Sequence, residues 1–425
     1  MLFLHMADVH LGNQQYNAAA RFNDFGRAFF EAVDLAVTHG VQACVIAGDL
    51  FHKAAVEPAT LIQAEEGLER LHDAGIPVIA VHGNHDNVRF RAQFSWLDYL
   101  AEKERLHLLS PVYEENGIQL VEGESYLDIG AVRFVGVPWL GASAAPVLAQ
   151  VADALAHLDR QNVGFTVLVT HAGVEGQMPH IPGALTFADL SPLKNHVQYL
   201  ALGHLHKPYE EAGWIYNPGS LETCSFDEAQ YENRGVYLVS VDESKGTHQA
   251  DLIRTPRRPF YTLYFDTDRF ATPAELMAGL RDELRGKAKS EVRKLVQAHP
   301  EQAAPVVRLV LRGNLTFDRA SLDIDAVRSL IRQEIEALLV RVDNRTRPLG
   351  SEIILDEGLD RAALERRVLE QVVLSDSRYS LHPAAWSELM QSIKRMALDA
   401  VPPDEIFAAL DRHMSELEGS VHVDH

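Results

Sequence analysis

The sequence predicts an α/β protein: a two-sheet sandwich flanked by helices, followed by a smaller α+β domain and a helical C-terminal region. Three observations carry this expectation. Short apolar runs alternate with helix-period segments up to about Val241, the pattern of strands covered by helices. Five of those runs end in a turn that carries Asp, Asn or His. At 425 residues the chain exceeds one ordinary core, so two or three domains are expected.

Taken in order, Leu2 to Met6 reads as a buried strand that runs into Asp8-Val9-His10. Phe22, Phe25, Phe29, Val33 and Ala36 recur at spacings of three and four, the stripe of an amphipathic helix. Ala43 to Ala47 is the next strand and ends at Gly48-Asp49. A helix from Pro58 to Ala74 opens with proline in its first turn and stops at Gly75. Val78 to Val81 leads to Gly83-Asn84-His85-Asp86, Phe165 to Val169 leads to Thr170-His171, and Tyr199 to Leu202 leads to Gly203-His204-Leu205-His206. Val132 to Val137 and Gly235 to Val241 read as further strands.

The proline- and arginine-rich step from Arg254 to Pro259 marks a boundary, so a first domain is expected over residues 1–253. Beyond it, Phe260 to Phe265 and Val306 to Leu311 read as strands around helices at Ala274 to Gln297 and Ala326 to Leu339, an α+β unit over 260–347. Past Pro348 the pattern turns helical over 351–425, with helices at Leu359 to Val373, Pro383 to Ala400 and Pro403 to Leu417. The last of these carries Ile406, Leu410, Met414 and Leu417 on one face.

The polar turns sit where strands end, the edge at which ligand-binding groups converge in open α/β sheets. Asp8, His10, Asp49, Asn84, His171, His204 and His206 offer two carboxylates, one amide carbonyl and four imidazoles. This set, with no thiolate, suits manganese, iron(II) or magnesium better than structural zinc. It is too large for one ion. With Asp49 bridging, it divides into two groups of four that leave positions open for water and a phosphate oxygen. Asp8 and His10 are two apart, as are His204 and His206, so in extended backbone each pair faces one way.

The five segments, in this order and each behind a strand, resemble those of the calcineurin-like metallophosphoesterases. Within that superfamily they are similar to the bacterial SbcD-type and YhaO-like DNA nucleases, relatives of the nuclease subunit of the double-strand-break repair complex. Phe51-His52, Asn84-His85-Asp86, Gly203-His204-Leu205-His206-Lys207-Pro208 and Tyr216-Asn217-Pro218-Gly219-Ser220 carry the likeness to the nuclease branch. Two positions depart from it: Val9 stands where Trp is frequent, and Leu221-Glu222-Thr223 stands where an Arg is common.

The resemblance implies a metallophosphoesterase sandwich with a capping domain. It implies one metal held by Asp8, His10, Asp49 and His206, and a second held by Asp49, Asn84, His171 and His204. It makes His85 the catalytic histidine near the scissile phosphate and His52 a second active-site histidine. It also implies a DNA substrate and a C-terminal segment that docks on an SbcC-type or YhaN-like coiled-coil ATPase, for which packing of the same apolar stripe on the chain's own cap is the rival explanation. A homodimer stays open. Asp86 is expected to hold the His85 ring, as carboxylates commonly do for active-site histidines.

Hydrophobic content of 47% and charged content of 23% describe a soluble globular protein. No apolar run reaches the roughly 20 residues that span a bilayer, and Met1 to Met6 runs into Asp8 with no cleavage-site pattern, so a cytoplasmic protein without a membrane anchor is expected. Cys44 and Cys224, the only cysteines, are expected to stay unpaired. The net charge of −21 argues against a generic nucleic-acid binder, so DNA contacts are expected in local basic stretches. Arg89 and Arg91, just after the Asn84 turn, are the best placed; Arg254, Arg257 and Arg258, and Arg285 to Lys294, are the others. The competing functions are a phosphodiesterase or phosphatase acting on nucleotides or small phosphoesters, and a non-catalytic DNA-end-binding or ATPase-regulatory subunit.

Overall fold

The computed structural model describes residues 1–86, 94–115, 117–160, 162–177, 184–297, 304–348, 361–374, 379 and 382–420. It divides into two compact units, one of residues 1–261 and 292–306, the other of residues 262–291 and 307–425.

In chain order the first unit contains β1 (Leu2–Met6), α1 (Ala19–His39), β2 (Ala43–Ile46), α2 (Pro58–Asp73), β3 (Val78–Ala80), α3 (Trp96–Glu102) and β4 (His107–Leu108). There follow a hairpin of β5 (Val112–Glu114) and β6 (Gly117–Gln119), then β7 (Tyr126–Ile129), β8 (Val132–Val137), α4 (Ala144–His157), β9 (Phe165–His171) and the short α5 (Phe187–Leu190). β10 (Tyr199–Gly203), β11 (Tyr209–Glu211), β12 (Ile215–Asn217), β13 (Gly235–Asp242) and β14 (Thr247–Arg254) complete it. One six-stranded sheet has the order β14-β13-β1-β2-β3-β4, the other β11-β12-β10-β9-β8-β7. The strands that lead to the polar turns are parallel to one another within each sheet: β1, β2 and β3 in the first, β9 and β10 in the second.

Side chains alternate across a strand, and here both faces of each sheet are covered. Phe3, Val45 and Ile79 of the first sheet meet Phe134, Val167, Val169 and Ala201 of the second in one buried layer. Phe3 contacts Phe134 and Tyr199 edge to face at 5.5 and 5.4 Å between ring centroids. Leu4, Met6, Cys44 and Ile46 point the other way, into α1 and α2. Val135, Leu168, Leu200 and Leu202 face α4. The result is helix, sheet, sheet, helix. It explains why these strands read as unbroken apolar runs. The α1 stripe is buried through Phe25, Phe29, Ala32, Val33 and Ala36, and the helix stops at Gly40, whose φ of 60° is left-handed. Burying a ring such as that of Phe29 stabilises by about 1.5–3 kcal/mol.

Beyond Pro259 the chain forms a three-stranded sheet of Phe260–Asp266, Val306–Arg312 and Leu339–Asn344. The helix expected over Ala274 to Gln297 is Pro273–Glu283, then a π turn at Leu284–Ala288, then Lys289–Gln297. The helix expected to reach Leu339 instead spans Ile324–Ile335, capped by Asp323 and ended at Glu336 in a left-handed conformation. Leu339 begins a strand. The C-terminal helices are Arg361–Leu374, Pro383–Leu398 and Pro403–Ser420, and the middle one packs on both others. In the last, Ile406 and Leu410 are half-buried and Met414 is exposed; the side chain of Leu417 lies outside the described residues. Among the described residues no helix is long and apolar enough to cross a membrane.

Candidate metal centre

Donor atoms from the ends of β1, β2, β3, β9 and β10 converge at one edge of the sandwich. The turns that bring them there use backbone that L residues avoid: φ is 53° at Asp8, 53° at His10, 54° at Asp49 and 93° at His204. Each such residue costs on the order of 1–2 kcal/mol, and main-chain bonds hold the turns, with Asp8 N–H donating to Gly48 O at 3.2 Å and His10 N–H to Asp49 O at 3.0 Å. Backbone strain kept in this way is concentrated at functional sites. Close approach sets two glycines. A Cβ on Gly48 (φ 84°) would overlap the His171 ring, and one on Gly83 would overlap Asp49 Oδ1.

Asp49, Asn84, His171 and His204 form one cluster. His171 Nδ1–H donates to the Ala47 carbonyl at 2.8 Å, which turns Nε2 toward Asn84 Oδ1 at 3.1 Å and Asp49 Oδ2 at 3.3 Å. His204 Nδ1 lies 3.0 Å from the same Asn84 oxygen. Burial opposes a charge on His171, but the Asp49 carboxylate outweighs it and raises the imidazole to about 9.

Asp8, His10, Asp49 and His206 form the other. His10 Nε2 is 3.0 Å from His206 Nε2 and 3.8 Å from Asp49 Oδ2, and His206 Nε2 is 3.8 Å from Asp8 Oδ1. Both Asp8 oxygens accept from His204 N–H, at 3.1 and 3.0 Å, which ties the two clusters together. The donor chemistry fits divalent cations: at each cluster, nitrogen and oxygen donor atoms of four residues face one another, and the raised imidazole of His171 marks a place where the surrounding oxygens favour positive charge.

The calcineurin-like phosphoesterase family matches residues 1–208, the stretch that supplies all seven of these side chains. Residues 1–208 form a calcineurin-like phosphoesterase domain. Members of this family work with divalent metal ions, and the domain brings Asp8, His10 and Asp49 within ligand distance of one another. The chain is also similar to proteins called DNA double-strand break repair protein Mre11. Identity is 31% to that of Aeropyrum pernix, over 62% of this chain and 63% of the relative, and 35% to that of Archaeoglobus fulgidus, over 54% and 52%. Against the Saccharolobus solfataricus protein it is 25% over 85% of this chain and 88% of the relative. The matched stretch thus spans between a half and two thirds of the first two relatives.

Around the two clusters, the remaining sequence expectations separate. His85 and His52 come together: their rings stack at 5.4 Å, and His85 lies 4.9 Å from the His10 ring. Asp86 does not hold the His85 ring, contrary to expectation. Its oxygens accept from Phe51 N–H at 2.9 Å and Gly83 N–H at 3.0 Å, while His85 Nδ1–H donates to the His52 carbonyl at 2.7 Å. A buried carboxylate beside unpaired amides is drawn to them, and Asp86 thereby braces the two turns. Arg89 and Arg91 lie outside the described residues. The basic stretch at Arg257 and Arg258 is internal: Arg257 donates to the Tyr231 and Glu232 carbonyls, and Arg258 is paired with Asp24, so neither is free for DNA. Arg285 pairs with Glu334 at 2.9 Å on the surface.

Of the two departures, Val9 is buried in the core beside α1 and α2, which makes it packing, and the Thr223 hydroxyl accepts from Arg234. Three residues near the centre escaped the sequence reading. Cys224 lies within ligand distance of His10 and His206, so the neighbourhood contains a thiol after all, one that burial pushes up in pKa. Glu228 bonds His206, and Arg234 bonds Glu228. Their only sequence signal was Ser225-x-x-Glu228, which reads as a capping pattern.

Proposed function

We propose that this chain is a divalent-metal-dependent DNA nuclease, with manganese as the working metal, that hydrolyses phosphodiester bonds at DNA ends or in single strands. The observation that carries the reading is the pair of donor clusters sharing Asp49, inside a chain similar along 85% of its length to an Mre11 repair protein. Asp8, His10, Asp49 and His206 would hold one ion, and Asp49, Asn84, His171 and His204 the other. Bound there, two ions would lower the pKa of a water between them and offset charge on the phosphoryl oxygens.

The chain's own groups supply the rest. His85, with Nδ1–H on the His52 carbonyl, presents Nε2 toward the centre; in its doubly protonated form it gives the Nε2 proton to the leaving 3′ oxygen and is left as the neutral Nδ1–H ring. His52, stacked against it, limits the ring's rotation. Arg89 and Arg91, which follow the Asn84 turn in sequence, are the proposed DNA contacts, in keeping with a net charge of −21 that confines DNA binding to local patches. The partner we propose is a coiled-coil ATPase docked on the C-terminal helices, which leave Leu398 75% and Phe407 63% exposed.

The test is a paired assay with manganese on end-labelled single- and double-stranded DNA and on a small phosphodiester. Degradation of DNA that stops with a chelator is expected. Turnover of the small ester alone would give the phosphodiesterase reading, and metal-independent stimulation of an ATPase with no hydrolysis would give the non-catalytic one.

A further inference from the structure

Glu228 sits in the short turn Phe226–Gln230, outside the stretch that carries the candidate ligands, and its carboxylate collects four donors. Oε1 accepts from His206 Nδ1–H and from Ser225 Oγ–H, each at 3.0 Å. Oε2 accepts from Cys224 N–H at 2.8 Å and from Arg234 Nη1–H at 3.0 Å. Arg234 is only 1% exposed and is itself fixed by Ser220 Oγ and Thr223 Oγ1, both at 2.7 Å, and by the Tyr231 carbonyl at 3.1 Å.

A carboxylate in this role accepts only, so the proton of the neutral His206 ring belongs on Nδ1 and the lone pair on Nε2. Nε2 is the atom that faces Asp8 and His10. The opposite cluster obtains the same tautomer at His171 from the Ala47 carbonyl, a backbone group that no substitution can remove.

We propose that Glu228, anchored by Arg234, is the positioning residue of His206, and that it sets the affinity of one of the two ion positions by fixing the tautomer and direction of that imidazole. The proposal rests on the reading of His206 as a ligand in the proposed function. Glutamine at 228 would turn an NH2 group toward either His206 or Arg234, so one side of the hub must fail. Loss of a carboxylate behind a ligating histidine typically costs roughly 10- to 100-fold in metal affinity.

The experiment uses the full chain with manganese itself as the probe. Calorimetric titration of wild type, Glu228→Gln and His206→Ala is combined with thermal unfolding and with nitrogen-15 spectra of the histidines in the metal-free protein. Glu228→Gln should weaken one manganese position roughly 10- to 100-fold, the same position that His206→Ala removes, and leave the other unchanged. Turnover should return at high manganese. At a pH high enough to make the ring neutral, the wild-type His206 should be the Nδ1–H tautomer. Unchanged affinity at both positions in Glu228→Gln, or a general loss of thermal stability without a selective loss of one position, would overturn the proposal. If Glu228→Gln does not fold, an Nε2–H tautomer in the wild type overturns it and an Nδ1–H tautomer supports it. Two intact positions in His206→Ala would instead overturn the ligand reading on which it stands.

Discussion

The two clusters that share Asp49 are held by different means. His171 is fully buried and leans on a main-chain carbonyl, and a glycine, Gly48, lies against its ring. His206 has a side chain 23% exposed and leans on a side-chain carboxylate, while the Nδ1 of its neighbour His10 is buried without a hydrogen-bond partner among the described residues. One half is therefore fixed by the sheets themselves, which have two buried faces and cannot shift without disturbing the core. The other half depends on the segment from Ser220 to Arg234, whose contacts are replaceable. We expect the buried half to bind its ion more tightly and the other to be the one that substitution can adjust.

The largest expected effect comes from removing the residue common to both. Asp49→Asn keeps the left-handed φ of 54° within reach, because Asn tolerates that region, but removes the shared charge. Hydrolysis should be abolished and manganese content should fall at both positions, more than for any single ligand outside the bridge. Two tightly bound ions with near-normal turnover in that variant would sink the shared-bridge description.

His85 belongs to neither half. His85→Gln should therefore keep both ions and DNA binding while turnover drops by roughly 100-fold or more. Elemental analysis finding that it loses an ion would make His85 a ligand.

Gly48→Ala sharpens the contrast. Its Cβ would press on His171 at a φ of 84°, so strain of about 1–3 kcal/mol should lower the melting temperature and weaken only the buried position. Selective loss at the His206 position instead would show that the division of the clusters is drawn wrongly.

The smallest effect is expected from removing residues 351–425. The sandwich buries its three apolar layers without those helices, so manganese affinity at both positions should be unchanged, whereas co-purification with a coiled-coil ATPase should be lost. Unfolding, or undiminished partner binding, would show that these helices serve the chain's own core or that docking lies elsewhere.

Much of the frame was legible in the chain. β1 and β9 were marked by runs such as Leu2 to Met6 and Phe165 to Val169, because a strand buried on both faces has no reason to alternate in polarity. Short strands such as Tyr209–Glu211 and Ile215–Asn217 were not marked, since three residues give no measurable period. The strand at Leu339–Asn344 was absorbed into the preceding helix, because Leu339 continues an apolar spacing that Glu336 breaks only through its backbone angle.

By itself, the sequence determined which donors the protein owns and that they lie at strand ends, because side-chain chemistry and local periodicity are properties of neighbouring residues. The tertiary structure decided the partners. His171 meets Asn84 and His206 meets Glu228 because two sheets close on each other, Asp86 turns from His85 to the amides of Phe51 and Gly83 because those amides are buried beside it, and Arg258 spends its charge on Asp24. Hydrogen bonds and ion pairs depend on distances of a few ångströms between atoms far apart in the chain, and those distances exist only once the apolar layers have set where each strand ends.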